Sequence, residues 1–301
     1  MACRFGDMVA RSYAIIEAPS SLGLHHHGVE RLPEALLNNG LAERIGARHA
    51  GSVVAPRGDN RIDAETRTLN GQLIAEWSPK LADRVGALLD AGQLPIVLGG
   101  DCTILLGVLL ALRRRGRYGL LFIDGHADFF DAFDNPDGEG ASIELALATG
   151  HGPDRLADLE GLRPLVRSED VVAFGFRDHD DQRQYRSPPP DADILVLDLP
   201  AIREIGLEVA MAQALGRLDR PDLDGFVVHF DADVMPDELM PAVDAPVPGG
   251  GLQPGEVVQV LRQAFASGKA VGLEVTIYNP DRDPTGMAGR LLTDVIVDGL
   301  S

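Results

Sequence analysis

Two similar stretches, GLLFIDGHADFFD at residues 119–131 and GFVVHFDADVMPD at residues 225–237, decide the fold class of this chain. In each, an apolar run leads without a break into acidic residues, which favours buried strands over a pair of solvated turns. Side chains two residues apart on a strand lie on one face, so each acidic run can direct several side chains at one spot. Carboxylates with an imidazole suit Mn²⁺, Mg²⁺, Zn²⁺ or Fe²⁺. The candidate metal ligands are Asp124, His126, Asp128, Asp231 and Asp233.

Eight apolar runs bounded by glycine, proline or aspartate recur along the chain, and their length and content predict fully buried strands. They lie at residues 13–19, 49–56, 94–101, 119–125, 171–178, 193–199, 225–231 and 270–279. Segments with helical spacing lie between them, at residues 64–92, 103–116, 207–222 and 254–268. This alternation predicts an α/β fold with a parallel sheet and helices on both faces. Because no linker is long or polar enough to separate two domains, we expect one domain over residues 1–301.

The composition excludes several classes of protein. The chain has 301 residues, of which 45% are hydrophobic, so it can bury a large core and is not disordered as a class. Its 27 basic and 46 acidic residues give a net charge of −19, which disfavours nucleic acid and anionic membranes as partners. A cationic or neutral small molecule is favoured instead. No apolar run approaches the ~18 residues of a membrane span.

The cysteines and the amino-terminal residues indicate a compartment. Cys3 and Cys102 lie far apart and lack CxxC spacing, so they predict neither a disulfide framework nor a zinc ribbon. Residues 1–13 lack the long apolar stretch of a secretion signal. We therefore expect a reducing, cytoplasmic location.

Further polar residues follow strands at the same edge of the predicted sheet, where open parallel sheets bind ligands. In the GGDCT motif, Asp101 is expected to brace the turn, and Cys102 is either a metal ligand or near-ligand or a buried inert thiol. Glu274 lies within a buried strand, so it must find a cation, a metal or hydrogen bonds. His229 shares a strand face with Asp231 and can line the same pocket.

These motifs resemble those of the ureohydrolase superfamily, which contains arginase, agmatinase, guanidinobutyrase and formimidoylglutamase. The family's GGDHS, DAHxD and SFDxDxxDP correspond to GGDCT at 99–103, DGHAD at 124–128 and HFDADVMPD at 229–237. PAVDAPVPGGGL at 241–252 and GLEVTIYNP at 272–280 resemble later family motifs. The resemblance covers nearly the whole chain. It implies a three-layer α/β/α fold with a central eight-stranded parallel sheet.

The resemblance also implies a pair of Mn²⁺ ions. By similarity, Asp124 and Asp231 bridge the two ions, Asp128 binds the first, and His126 and Asp233 bind the second. A hydroxide shared by the ions would attack the central carbon of a guanidine or amidine, and Asp128 would relay its proton.

Two substrate contacts are implied in the same way. Glu274 matches the family's acidic residue that pairs with the guanidinium. Asp180 matches the carboxylate that recognises the α-amino end of the substrate, although from the sequence Asp178 and Asp180 fit a solvated loop equally well. The family often forms trimers or hexamers, so a homo-oligomer is expected.

Departures from the family motifs change these expectations. Cys102 stands where the family has a histidine ligand of the first ion. Because Mn²⁺ binds a soft thiolate poorly, that site is expected to bind Mn²⁺ more weakly or to take Zn, Fe or Ni. The family's proton-shuttle histidine is absent, with Ala141 or Ser142 in its place. Phe130 replaces an asparagine that contacts substrate in arginase. Plain L-arginine is therefore not the expected substrate, and a hydroxyguanidine is favoured because it needs less help from a proton donor.

Two functions of different class follow from these residues. The first is a metal-dependent amidinohydrolase that cleaves a linear C–N bond in a guanidino or amidino compound. The second is a catalytically weak or inactive member of the superfamily, whose degenerate metal site serves binding or assembly.

Overall fold

The computed structural model describes residues 12–135 and 137–301. Cys3 and almost all of residues 1–13 lie outside the described residues. Strands within the described part are β1 (Tyr13–Glu17), β2 (Arg48–Ser52), β3 (Leu94–Leu98), β4 (Tyr118–Ile123), β5 (Val171–Phe174), β6 (Leu195–Leu197), β7 (Gly225–Asp231) and β8 (Ala270–Thr276). The α-helices are α1 (Leu32–Asn38), α2 (Leu41–Arg44), α3 (Gly71–Asp90), α4 (Ile104–Arg113), α5 (Glu144–Ala148), α6 (Asp154–Ala157), α7 (His179–Gln184), α8 (Leu199–Ile205), α9 (Leu207–Leu218), α10 (Pro254–Ala266) and α11 (Met287–Leu300).

All eight predicted strands are present in one parallel sheet of order β2-β1-β3-β8-β7-β4-β5-β6. Alternate residues of a strand enter two separate cores, as Leu121 and Phe122 of β4 do. Helices α1, α2 and α8 to α11 pack into the core that contains Leu121, and α3 to α6 into the other. The predicted three-layer α/β/α architecture is confirmed.

Two details of the prediction are wrong. Strands β2 and β6 are not fully buried, because they form the two edges of the sheet and each has one neighbour strand. The helix predicted from residue 64 begins instead at Gly71, since Asp63 accepts the backbone N–H of Thr66 at 2.8 Å and holds a turn there. Within the described residues, no helix is long and apolar enough to cross a membrane.

The turn after β3 sets the position of Cys102. A Cβ atom on Gly100 would lie 1.7 Å from the carbonyl oxygen of Ser20, so only glycine fits there without moving the backbone. Asp101 accepts hydrogen bonds from Ser20 Oγ at 2.7 Å and from the Thr103 amide at 3.0 Å, which confirms its predicted role as a brace. The turn is therefore fixed to the segment that follows β1.

We predict that Gly100→Ala lowers the free energy of unfolding by about 2 kcal/mol, because the added methyl group must displace backbone. Gly216→Ala is the matched control, since its Cβ would meet no atom within 4 Å and alanine favours the helix α9 by up to about 1 kcal/mol. Urea denaturation of both variants measures the difference. Equal stability of the two variants would contradict the packing described for this turn.

Candidate metal centre

The two acidic runs meet because β4 and β7 are neighbours in the sheet. Ile123 pairs with Phe230, so Asp124 and Asp231 emerge side by side at the carboxyl ends of these strands. Each aspartate stabilises the turn that follows it. Asp124 Oδ1 accepts a hydrogen bond from the backbone N–H of His126 at 2.7 Å, and Asp231 Oδ1 accepts one from the backbone N–H of Asp233 at 2.8 Å. Local hydrogen bonds therefore direct both runs toward one point.

One group of ligand atoms forms around His126. The ligand atoms of Asp124, His126 and Asp233 all lie within 4.8 Å of one another. His126 Nδ1 is 2.8 Å from Asp233 Oδ2 and 3.8 Å from Asp124 Oδ1. The other oxygen of Asp233 accepts the amide of Gly125 at 2.9 Å, which holds this carboxylate in place.

A second group forms around Cys102. Its Sγ donates a hydrogen bond to Asp231 Oδ2 at 3.0 Å, and ligand atoms of Cys102, Asp124, Asp128 and Glu144 lie within 4.8 Å of one another. A partly overlapping set consists of Cys102, Asp124, His229 and Asp231. The structure thus brings together the six residues predicted as metal ligands, which are Cys102, Asp124, His126, Asp128, Asp231 and Asp233.

Unpartnered atoms in the cluster test whether it fits cations. Both carboxylate oxygens of Glu144 are buried and make no hydrogen bond, and the buried atoms Asp124 Oδ2 and His229 Nε2 make only a long contact with each other, at 3.4 Å. Buried polar atoms without partners cost free energy, and anionic oxygens cost most. A divalent cation would satisfy them, and carboxylate, imidazole and thiolate donors together suit Mn, Fe, Ni or Zn. The residues therefore fit a metal centre.

The pKa values of the cluster also indicate that it contains too little positive charge to balance its carboxylates. Burial, together with the neighbouring carboxylates, raises the pKa values of Asp128, Glu144 and Asp231 well above their usual range. Burial and the charge of Asp231 raise the pKa of the Cys102 thiol. Asp233 differs, because burial is outweighed by His126, which lowers the pKa of Asp233 to about 2.

Glu274 does not face the cavity beside the cluster. In the pairing of β7 with β8, Glu274 lies opposite His229 and Thr276 lies opposite Asp231. Glu274 therefore lies two residues before the strand end at which the metal ligands gather. It is fully buried, and its Oε1 is 2.7 Å from His229 Nδ1. Ile277, rather than Glu274, lines the cavity, so the contact of Glu274 with a guanidinium stays a prediction.

Asp180 lies outside the cluster as well. Its side chain is 93% exposed in the first turn of α7 and pairs with Arg183. It does not line the cavity, so its contact with a substrate stays a prediction. Asp178 is the buried member of the motif, and its Oδ1 accepts the Ala127 amide at 3.2 Å and the Gln182 side chain at 2.7 Å. Asp178 therefore shapes the loop that carries the ligands.

The cavity that reaches the cluster has a volume of about 50 Å³. Its wall includes His126, Asp128, Asp233, Glu139, Ser142 and Ile277. Burial raises the pKa of Glu139 above the usual range of a glutamate. The sequence analysis missed Glu139 and Glu144. Glu144 is the single charged residue of the apolar α5 segment ELALA, a signal that could have identified it.

Comparison with known proteins decides the family. A sequence model of the Arginase family matches residues 11–300. The chain belongs to the arginase family. It is 29% identical over 290 residues to an arginase of Brevibacillus brevis, an alignment that covers 93% of this chain and 95% of the relative. The predicted superfamily is confirmed.

Solved structures share the fold of this arginase-family protein. Arginase from Bacillus caldovelox has a TM-score of 0.85 at 24% identity, with 97% of this chain and 98% of that chain covered. Proclavaminate amidino hydrolase from Streptomyces clavuligerus has a TM-score of 0.70 at 19% identity, with 96% and 90% covered. The three-layer fold is therefore common to proteins named for different substrates.

The raised carboxyl pKa values predict how pH affects the metal-free protein. Protons held by the folded cluster stabilise it fully below about pH 4, the ordinary carboxyl pKa, and this contribution is lost as pH rises through the raised values. We therefore expect the free energy of unfolding of chelator-treated protein to fall as pH rises from about pH 5 through neutrality.

Urea denaturation at each pH measures this effect. Added Zn²⁺ should abolish the fall, and Glu144→Gln, which cannot ionise, should reduce its slope. Metal-free stability that rises over this range would contradict the account.

Proposed function

We propose that this protein is a metal-dependent amidinohydrolase that cleaves a linear C–N bond in a guanidino or amidino compound. The observation that carries the proposal is the convergence of carboxylate, imidazole and thiol ligand atoms at the carboxyl ends of β4 and β7. Membership of the arginase family supports the reaction class.

Two groups of ligand atoms support two cation positions. Asp124 belongs to both groups and would bridge them. Asp231 belongs to the group around Cys102, and the family resemblance gives it the same bridging role. His126 and Asp233 would hold one cation, and Cys102 and Asp128 the other. Divalent cations there would activate water for attack on the central carbon of a guanidino group.

Asp128 would orient the attacking water and take its proton, since its carboxylate lies in the second group and also lines the cavity. Asp128 would thus be a catalytic residue.

The substrate is proposed to be a modified guanidine, such as a hydroxyguanidine, rather than plain L-arginine. Glu274 contacts His229 and does not line the cavity, where Ile277 provides an apolar part of the wall. A hydroxyguanidine is a weaker base than a guanidine, so it depends less on a carboxylate partner and on a proton donor. The relatives named arginase make L-arginine the reference substrate for the test.

A second candidate is a family member with little or no catalysis, in which the centre serves binding or assembly. The specific observation that favours it is the small cavity of about 50 Å³, which has room for a few water molecules at most. A substrate could reach the cluster only if the surrounding side chains move.

Metal loading with a substrate screen separates these candidates. After removal of metal and reconstitution with Mn²⁺, Fe²⁺, Ni²⁺ or Zn²⁺, we expect close to two ions per chain and release of urea or hydroxyurea. Turnover of a hydroxyguanidino acid should exceed that of L-arginine by about tenfold, equal to about 1.4 kcal/mol in the barrier. Faster turnover of L-arginine would refute the substrate proposal. Metal binding without turnover of any guanidino compound would favour the second candidate.

Cys102 is proposed to set the metal preference of the centre. We predict that Cys102→His raises Mn²⁺ occupancy and activity with Mn²⁺, because imidazole binds this ion better than a thiolate does. Cys102→Ser is the control, since it removes the sulfur without supplying nitrogen and should lower Zn²⁺ affinity. Metal analysis and steady-state kinetics measure both changes. Unchanged occupancy in both variants would place Cys102 outside the coordination sphere.

Three further expectations accompany the proposed function. A reducing cytoplasm suits the free and buried thiol of Cys102. Family resemblance favours a homo-oligomer, either a trimer or a hexamer. One domain over residues 1–301 accords with the family match to residues 11–300.

A further inference from the structure

His229 is held in a single orientation beside the cluster. Its ring stacks on Phe122, with centroids 4.6 Å apart and planes inclined by 6°. Its Nδ1 is 2.7 Å from Glu274 Oε1, and the side chains of both residues are fully buried. The stack and the hydrogen bond together fix both the position and the rotation of the ring.

The opposite nitrogen of the ring points into the cluster. His229 Nε2 lies 3.4 Å from Asp124 Oδ2, and both atoms are buried without a hydrogen bond. The ligand atoms of Cys102, Asp124, His229 and Asp231 all lie within 4.8 Å of one another. One cation could therefore contact all four.

We propose that His229 binds a divalent cation through Nε2, together with Cys102, Asp124 and Asp231, and that Glu274 is the positioning residue for this ligand. The inference rests on the proposed metal-dependent function. A carboxylate that accepts the N–H of one ring nitrogen leaves the lone pair of the other free for the metal and fixes the tautomer. Glu274 and His229 have this arrangement, which gives the buried Glu274 a role without substrate contact.

A coordinating His229 would keep an imidazole next to Cys102. In the family motifs quoted above, GGDHS has histidine where this chain has Cys102, and SFDxD has serine where it has His229. The imidazole beside Cys102 would thus come from strand β7 rather than from the turn after β3. With His229 added to Cys102 and the carboxylates proposed above, this cation would have a mixed sulfur, nitrogen and oxygen donor set, which suits Zn²⁺, Fe²⁺ or Co²⁺ better than Mn²⁺.

The competing interpretation is a purely electrostatic role. Burial opposes a charge on His229, yet Asp124 and Glu274 raise its pKa to about 10 in the metal-free protein. A protonated His229 would neutralise both carboxylates and could not bind a metal. The test must therefore read coordination directly.

Cobalt binding to the full chain provides that test. Metal-free protein is titrated with Co²⁺ while the d–d bands and the thiolate charge-transfer band are recorded. We expect His229→Gln to weaken the ion bound by Cys102 by at least about 10- to 100-fold and to change the d–d bands, while the thiolate band remains. Glu274→Gln should keep the stoichiometry and weaken the same ion by about tenfold.

His26→Gln is the matched control, because this exposed histidine lies in the HHH run and its loss should change nothing. An unchanged cobalt spectrum and affinity in His229→Gln would overturn the inference.

A measurement on the unaltered chain covers the case in which His229→Gln fails to fold. In ¹⁵N-histidine-labelled protein loaded with ¹¹³Cd, we expect metal coupling to two imidazoles, those of His126 and His229. Coupling to His126 alone would overturn the inference.

These readouts do not depend on turnover. Cobalt or cadmium binding by His229 in a protein that hydrolyses no guanidino compound would support this inference and refute the proposed reaction. Turnover of a guanidino compound, together with an unchanged cobalt spectrum in His229→Gln, would support the proposed reaction and overturn this inference.

Discussion

The structure depends on the burial of several carboxylates where β4 and β7 end. Asp124, Asp128, Asp231, Asp233 and Glu144 are each 5% exposed or less. Ionised carboxylates in such a place repel one another and lose their hydration, so they persist only with protons, imidazolium or metal cations. This constraint accounts for the positions of His126 and His229, each of which lies against a carboxylate of the cluster.

The two histidines neutralise only part of the cluster. His126 contacts Asp233, and His229 lies between Asp124 and Glu274. The remaining acids must hold protons when metal is absent. Metal binding therefore displaces protons from the cluster, and its affinity should increase as pH rises. Folding of the protein, protonation of the cluster and metal binding are therefore thermodynamically linked.

Much of the fold was readable from the sequence, because buried parallel strands carry continuous apolar runs that need no tertiary context. Burial of β2 was overestimated, since edge position depends on strand order, which local sequence does not encode. The convergence of the acidic runs could be predicted because both follow the ends of parallel strands. The direction in which the Glu274 side chain points depends on the pairing of Glu274 in β8 with His229 in β7, which local sequence does not encode. Glu144 was missed for a similar reason: it reaches the cluster from a helix that carries no motif.

The central claim is that this buried acidic cluster is a two-cation centre rebuilt around Cys102 and His229. Anomalous diffraction from crystals of the zinc-loaded protein tests it most directly. The account predicts two anomalous peaks, one among Cys102, Asp124, Asp231 and His229 and one among Asp124, His126 and Asp233. Zinc-loaded crystals with no anomalous peak inside the cluster, or with a first peak that His229 does not contact, would contradict it.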